Sequence, residues 1–209
     1  MPRVEGQWTG EQESKPAPAP LDRIQALVNT IDREIGQDRL AVRDDALRWL
    51  RDHGYSDAGA ELTDADLAFV REVREGLRAL LVHNSGGPPP GSEELRVLRT
   101  LARDAALRPD LGDDGRVQLL PAADTLSGRL GALLVIVRDA QRDGTWDRFK
   151  ACGNEACRWV FYDRSRNRGG AWCTMASCGN RFKNRDFRAR HRVSSTDATP
   201  APPPAHPSR

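Results

Sequence analysis

The chain has 209 residues, 38% of them hydrophobic and 6% aromatic, with 32 Lys+Arg against 30 Asp+Glu for a net charge of +2. Its longest uninterrupted apolar run, Ala132 to Val137, is far short of the roughly 20 residues that a membrane-spanning helix needs. No charged-then-apolar amino terminus with a cleavage site is visible, so membrane, secreted and collagen-like readings are set aside and a cytoplasmic protein is expected.

The net charge conceals its distribution. Residues 1–147 carry 19 Lys+Arg and 26 Asp+Glu, a net of −7, whereas residues 148–192 carry 12 and 3, a net of +9. An acidic body followed by a basic segment points to a polyanion, nucleic acid above all, as partner of the basic part. Mutual neutralisation of the two parts in the folded chain is the plain alternative. Arginine outnumbers lysine 29 to 3, which suits planar, bidentate contacts to phosphate or guanine but fits a GC-rich genome equally well.

In chain order, residues 1–19 contain a Lys-Pro-Ala-Pro-Ala-Pro run reaching Pro20 and no apolar period, and read as a disordered leader. Residues 193–209, ending through Pro202-Pro203-Pro204, read as a second disordered tail. Between them, Leu21, Ile24, Leu27, Val28, Ile31 and Ile35 follow helical spacing, with Gly36 as the stop. A second helix is expected from about Asp38 to Asp52. Thr63 can cap a third, with Asp66 as its capping-box partner. The third helix carries the stripe Phe69, Val70, Val73, Leu77, Leu80 and Leu81. The Gly86–Gly91 stretch is a loop, after which Ser92 is expected to cap a fourth helix. Val117–Leu120 is a strand candidate after the turn at Asp113-Asp114-Gly115, and a fifth helix is expected from about Asp124 to Arg142. These stripes read as core. The body shows no HExxH pattern, no phosphate-binding glycine loop and no catalytic set of residues, so no enzyme is expected.

The chemistry lies in the cysteines. All four, Cys152, Cys157, Cys173 and Cys178, fall in one C-x4-C-x15-C-x4-C pattern. Two short pairs form two knuckles that aim their sulfurs at one point, the arrangement of a tetrahedral, structural Zn2+ site with four thiolates. Two disulfides, or an iron–sulfur cluster, are the alternatives. One zinc ion also accounts for how some 45 residues fold, because metal binding in zinc-finger peptides supplies roughly 10–16 kcal/mol. Trp159, Val160, Phe161 and Trp172 are expected to form a minimal core for this module, and the residues between the pairs to form a hairpin with its tip at Gly169-Gly170. Arg164, Arg166 and Arg168 alternate, which on a strand places them on one face. Beyond Cys178 a helix is expected to carry Arg181, Lys183, Arg185, Arg188, Arg190 and Arg192. Together these nine basic residues are the candidate nucleic-acid contacts.

The string Cys157-Arg158-Trp159-Val160-Phe161-Tyr162-Asp163, followed by Trp172-Cys173 and then Cys178-Gly179-Asn180-Arg181, closely resembles the CGNR zinc finger, whose signature is that last tetrad. The body is similar to the ABATE domain that precedes such fingers, through Leu27-Val28-Asn29-Thr30-Ile31-Asp32, Trp49-Leu50 and Leu77-Arg78-Ala79-Leu80-Leu81. Arg23 and Gln25 stand where the resemblance leads one to expect a more apolar opening. The family is described as bacterial stress-induced transcription regulators, which implies a DNA-binding finger and a body that senses a ligand or oligomerises. Cys178 carries over as a zinc ligand. Asn180 carries over as a helix cap or a bond to the knuckle backbone, and Arg181 as a bridge to Asp163 or a phosphate contact.

The expected fold is therefore mainly α: a leader (1–19), an ABATE-like helical domain with a short β-hairpin (20–145), a four-cysteine zinc module of knuckle, β-hairpin and basic helix (146–192), and a tail (193–209). The expected function is a DNA-binding regulator with a double-stranded DNA partner and an effector of unspecified chemistry. A lone finger makes few base contacts, which suggests a homodimer, although no particular residue points to one. A zinc-stabilised protein-interaction or RNA-binding module is the alternative.

Overall fold

The computed structural model describes residues 13–181, 183 and 184. Contacts divide the chain into two compact units, the first ending at Cys173 and the second beginning at Thr174.

Among the described residues, the first unit holds five α-helices and three two-stranded antiparallel sheets. Helix α1 spans Leu21–Val28 and buries Leu21, Ile24, Leu27 and Val28. It does not continue to Ile35 as the apolar spacing predicts. Thr30 Oγ1 bonds back to Leu27 O at 2.8 Å, Asp32 Oδ1 accepts from Glu34 N and Ile35 N, and Gly36 sits at φ +70°. This side-chain-supported turn joins β1 (Ile31–Asp32) to β2 (Gln37–Asp38). Ile35 is left 44% exposed, so its place in the apolar spacing does not signal burial.

Helix α2 spans Arg43–Asp52, starting later than the expected Asp38 because β2 occupies that position. Helix α3 spans Asp64–Asn84 behind the expected Thr63–Asp66 capping box. Along it Val70, Val73, Leu77 and Leu81 are wholly buried, and it packs on α1 and on helix α4 (Ser92–Asp104). Ser92 is the first helical residue rather than the cap. Gly91 takes the cap position, and no side chain caps this helix.

Strand β3 (Leu107–Leu111) pairs with β4 (Val117–Pro121), the latter as expected. Helix α5 spans Leu126–Asp143 behind a Thr125 cap and ends at Gly144 in the left-handed region. No helix among the described residues is long and apolar enough to cross a membrane.

Strand β5 (Phe149–Ala151) lies against α3 and pairs with β6 (Val160–Tyr162). Phe149, Ala151, Val160 and Tyr162 belong to the same apolar core as the helices, in place of the separate minimal core expected for the zinc module. Residues 13–20, expected to be part of a disordered leader, are packed. Ala17 is buried, Tyr162 N donates to Lys15 O at 3.1 Å, and Ala17 N donates to Gln25 Oε1 at 2.6 Å. A Pro-Ala composition forms little core of its own, but its extended backbone can complete a sheet edge.

Two arginines lie inside the first unit. Arg74 reaches Asp38, Thr30 and Glu75, and Arg78 reaches Glu75 and the carbonyl of Val28. Burial pushes the Glu75 carboxyl up, but the charges of Arg78 and Arg74 and their hydrogen bonds outweigh it, so its pKa falls below the ordinary carboxylate value of 4.5. A depressed carboxyl pKa contributes stability above pH 4.5, and that stability is lost as pH falls through the folded-state value. Glu75→Gln is expected to cost about 2–3 kcal/mol at pH 7, less than a wholly enclosed ion pair because Glu75 is 38% exposed. Urea melts at pH 7 and pH 3.5 check this: the gap between variant and parent should narrow at the lower pH.

Candidate metal centre

The first cysteine pair sits on the turn of the β5–β6 hairpin. Cys152 follows β5 directly, and Cys152 N donates to Trp159 O at 2.8 Å, which closes the loop one step ahead of β6. Inside the loop, Cys157 N and Arg158 N both donate to Asn154 O at 2.9 Å, and Arg158 is left-handed at φ +50°. These bonds wrap the backbone tightly enough to bring Cys157 back beside Cys152. The zinc-module hairpin is therefore this one, spanning the first pair. The segment between the two pairs does not form the expected hairpin.

Cys173 closes the first unit, and its carbonyl accepts from Ser14 Oγ at 3.2 Å. In the second unit Cys178 lies within a five-residue π-helical segment, Met175–Gly179. Thr174 caps it by accepting from Ser177 N at 3.2 Å, and Gly179 N donates to Thr174 O. π-type turns are uncommon and often found at functional sites. Asn180, Arg181, Lys183 and Asn184 continue it as α-helix, in line with the expected helix after the last ligand. Asn180 Nδ2 donates to Ala176 O at 3.4 Å, the backbone bond expected for it.

All four cysteines are buried and their sulfurs lie within 4.8 Å of one another. Cys157 Sγ and Cys173 Sγ are 3.8 Å apart. Four sulfurs at Zn–S bonds of about 2.3 Å on a tetrahedron would be separated by about 3.8 Å. None of the cysteines is in a disulfide. Hydrogen bonding among the thiols pulls the Cys152 pKa down and pushes that of Cys157 up. The donor set and its spacing fit one structural zinc ion held by Cys152, Cys157, Cys173 and Cys178. Four protein ligands fill the tetrahedron and leave no open position for a substrate or catalytic water.

The segment between the pairs is organised by Asp163 in place of a strand. Its carboxylate accepts from Ser165 N at 3.0 Å and Gly170 N at 2.7 Å, and pairs with Lys150 Nζ at 3.0 Å. A Cβ at Gly170 would meet this carboxylate at 2.8 Å. Burial opposes the charge of Asp163, yet the bonds from Ser165, Lys150 and Gly170 hold its pKa well below the carboxylate range. Gathered into this loop, Arg164, Arg166 and Arg168 do not line one strand face. Arg164 donates to Pro16 O at 3.1 Å and lies over the Tyr162 ring. Arg168 donates to Asp147 at 2.8 Å. Arg166, Arg181 and Lys183 are exposed. Arg185, Arg188, Arg190 and Arg192 lie outside the described residues.

The sequence reading does not find the residues that hold the module in place. Asn29 and Gln25 of α1 bond the backbone of Val160. Glu13 accepts from Trp159 Nε1 at 2.9 Å and from Asn29 Nδ2 at 2.7 Å. Lys15 Nζ lies 4.6 Å from the Phe161 ring centroid. The signal available was Gln25, a polar residue at an apolar position of the first helix.

Four buried thiols gathered at a hairpin knuckle define a structural zinc site. Residues 148–191 match the family model of the CGNR zinc finger, and residues 21–142 match that of ABATE, described as "Putative stress-induced transcription regulator". The ABATE match covers more than half of the chain, and the chain belongs to that family. No curated protein matches it.

Elemental analysis of the purified chain is expected to find one zinc per molecule. Cys157→Ser, which removes a ligand on the hairpin turn, is expected to abolish stoichiometric zinc and to lower the thermal midpoint. If Cys157→Ser retained a full equivalent of zinc, the four-thiol assignment would be wrong.

Proposed function

We propose that this chain is a cytoplasmic bacterial transcription regulator that binds double-stranded DNA through its zinc module, and that it has no catalytic activity of its own. The single observation that carries the reading is the pairing of a closed four-cysteine centre with a surrounding segment of 12 Lys+Arg and 3 Asp+Glu, in a chain of the ABATE family. A metal site without an open position organises a surface, and a surface this basic attracts phosphate.

The arrangement of the described arginines refines which of them reach DNA in this proposal. Arg164 and Arg168 are engaged with Pro16 and Asp147, and act as loop supports. Arg166, at the exposed turn, and Lys183, on the exposed helical segment, are the proposed phosphate contacts within the described part. A helix beginning at a zinc ligand is also a common way of delivering basic side chains to a groove.

The test is a salt titration of the zinc-loaded protein, read by fluorescence anisotropy, against the duplex upstream of its own gene, a random duplex and a single-stranded RNA. Neutralisation of about five phosphates predicts a slope of log K on log salt near −4.5. Arg166→Ala is expected to make the slope shallower by about 1 and to weaken all duplexes alike. Arg168→Ala is expected to leave the slope unchanged. Absence of duplex binding by zinc-loaded protein at any salt would overturn the proposal, and preference for the RNA would turn it toward single-strand recognition.

A further inference from the structure

The first knuckle is held at both ends by polar side chains of the helical body. On the side leading into Cys152, Ala151 N donates to Ser85 Oγ at 2.8 Å, and the Asn84 amide donates to Phe149 O at 2.7 Å. On the side leading out of Cys157, Arg78 Nη1 donates to Arg158 O at 2.9 Å. Asn29 then behaves as a one-residue strand. Its Oδ1 accepts from Val160 N at 2.8 Å and its Nδ2 donates to Val160 O at 2.9 Å, an oxygen that also accepts from Gln25 Nε2 at 3.1 Å. Gln25 is 2% exposed, and Asn29 and Arg78 are 3% exposed.

Polar groups this deeply buried have no water to turn to, so losing a partner is costly. Each of them has one or more partners among the backbone atoms of residues 158 and 160. Those atoms are placed by the knuckle, through the left-handed Arg158 and the bond from Cys152 N to Trp159 O. None of residues 152–159 belongs to the apolar core of the described residues, and Cys152 and Cys157 are the groups through which a metal would fix them.

We propose that helices α1 and α3 register the occupancy of the zinc centre through Asn29 and Arg78. When the metal is bound, residues 152–160 are fixed and both side chains are satisfied. When it leaves, the backbone at Arg158 and Trp159 loosens, Arg78 loses its bond to Arg158 O, and the bonds of Asn29 and Gln25 to Val160 weaken, while the bonds of Arg78 to Glu75 and Val28, of Gln25 to Ala17 and of Asn29 to Glu13 remain. The carboxy-terminal turn of α1 and the second half of α3 then loosen, while the β3–β4 hairpin, which packs on α5, keeps its structure. The helical body is thereby a reader of metal status, a role separate from DNA binding and independent of it. Linkage makes the coupling reciprocal: the same bonds that carry zinc loss to the helices tighten zinc binding.

The test is hydrogen–deuterium exchange on the full chain, zinc-loaded and after treatment with a strong chelator. Amides in residues 21–30 and 74–84 are expected to exchange faster by on the order of tenfold without zinc, the scale of an ordinary coupling between sites. Those of residues 107–121 are expected to be unchanged. Asn29→Ala is expected to weaken zinc, measured by competition with a chromophoric chelator, by the same order. Thr125→Val, which removes the cap of α5, should lower stability but leave zinc affinity alone. Three results would overturn the proposal: unchanged exchange in residues 21–30 and 74–84, wild-type zinc affinity in Asn29→Ala, or loss of protection in residues 107–121 together with the rest. If Asn29→Ala does not fold, the comparison of the parent chain with and without zinc decides the matter.

Discussion

Strand β6 is three residues long and buried along its whole length, and each of its two edges carries backbone groups that must be paired. One edge meets β5. The other has no strand beside it, and an unpaired buried amide or carbonyl costs about 1–3 kcal/mol. The chain fills that edge from two places distant in sequence: the Asn29 and Gln25 side chains meet Val160, and the Lys15 carbonyl meets Tyr162. Much of the rest follows from this requirement. Helix α1 ends at Val28, and its cap residue Asn29 turns its amide to the strand. The residues before α1 run alongside β6, which is why Glu13 and Lys15 lie against Trp159 and Phe161. The knuckle joins β5 to β6 and carries two of the zinc ligands, Cys152 and Cys157.

Charge in this molecule is used in two ways that a tally does not separate. Arg74 and Arg78 are buried in the body and serve as hydrogen-bonding forks that tie α3 to α1, β2 and the knuckle. The guanidinium suits this use because its planar donors reach several acceptors at fixed angles. Arg148, Arg164 and Arg168 likewise bond acceptors of the first unit. Of the basic groups around the loop between the cysteine pairs, Arg168 and Lys150 are neutralised by Asp147 and Asp163, whereas Arg148 and Arg164 bond neutral carbonyls and keep their charge.

What could be read in the sequence, and what could not, divides along physical lines. The thiol spacing carried its own geometry, since four sulfurs can satisfy one tetrahedral ion in few ways. The Thr63–Asp66 capping box and the stripe of α3 were equally plain, because both are local. The continuation of α1 to Ile35 was misread because Ile31 and Ile35 keep the helical period by coincidence, while the decisive signals, the Asp32 side chain and Gly36, act over a few residues of turn. Strand β3 was missed because Leu-Arg-Pro-Asp-Leu contains a proline, which is tolerated only at a sheet edge. The packing of residues 13–19 has no local signal, since Glu13, Ser14, Lys15 and Pro16 each meet a partner between 146 and 159 positions away. The buried Gln25, a polar residue on an otherwise apolar face, was the one visible trace of that long-range arrangement.

The bond between Asn29 and Val160 has a further property. Asn29 engages only the main-chain nitrogen and oxygen of Val160, atoms that every residue except proline supplies. The side chain at position 160 is therefore free to drift among residues of suitable bulk during evolution while the attachment persists. The amide at position 29 has no such latitude, because no other side chain of that length offers a donor and an acceptor side by side. Divergence at this junction is expected to be lopsided, with variation collecting on the finger and constancy on the helix that holds it.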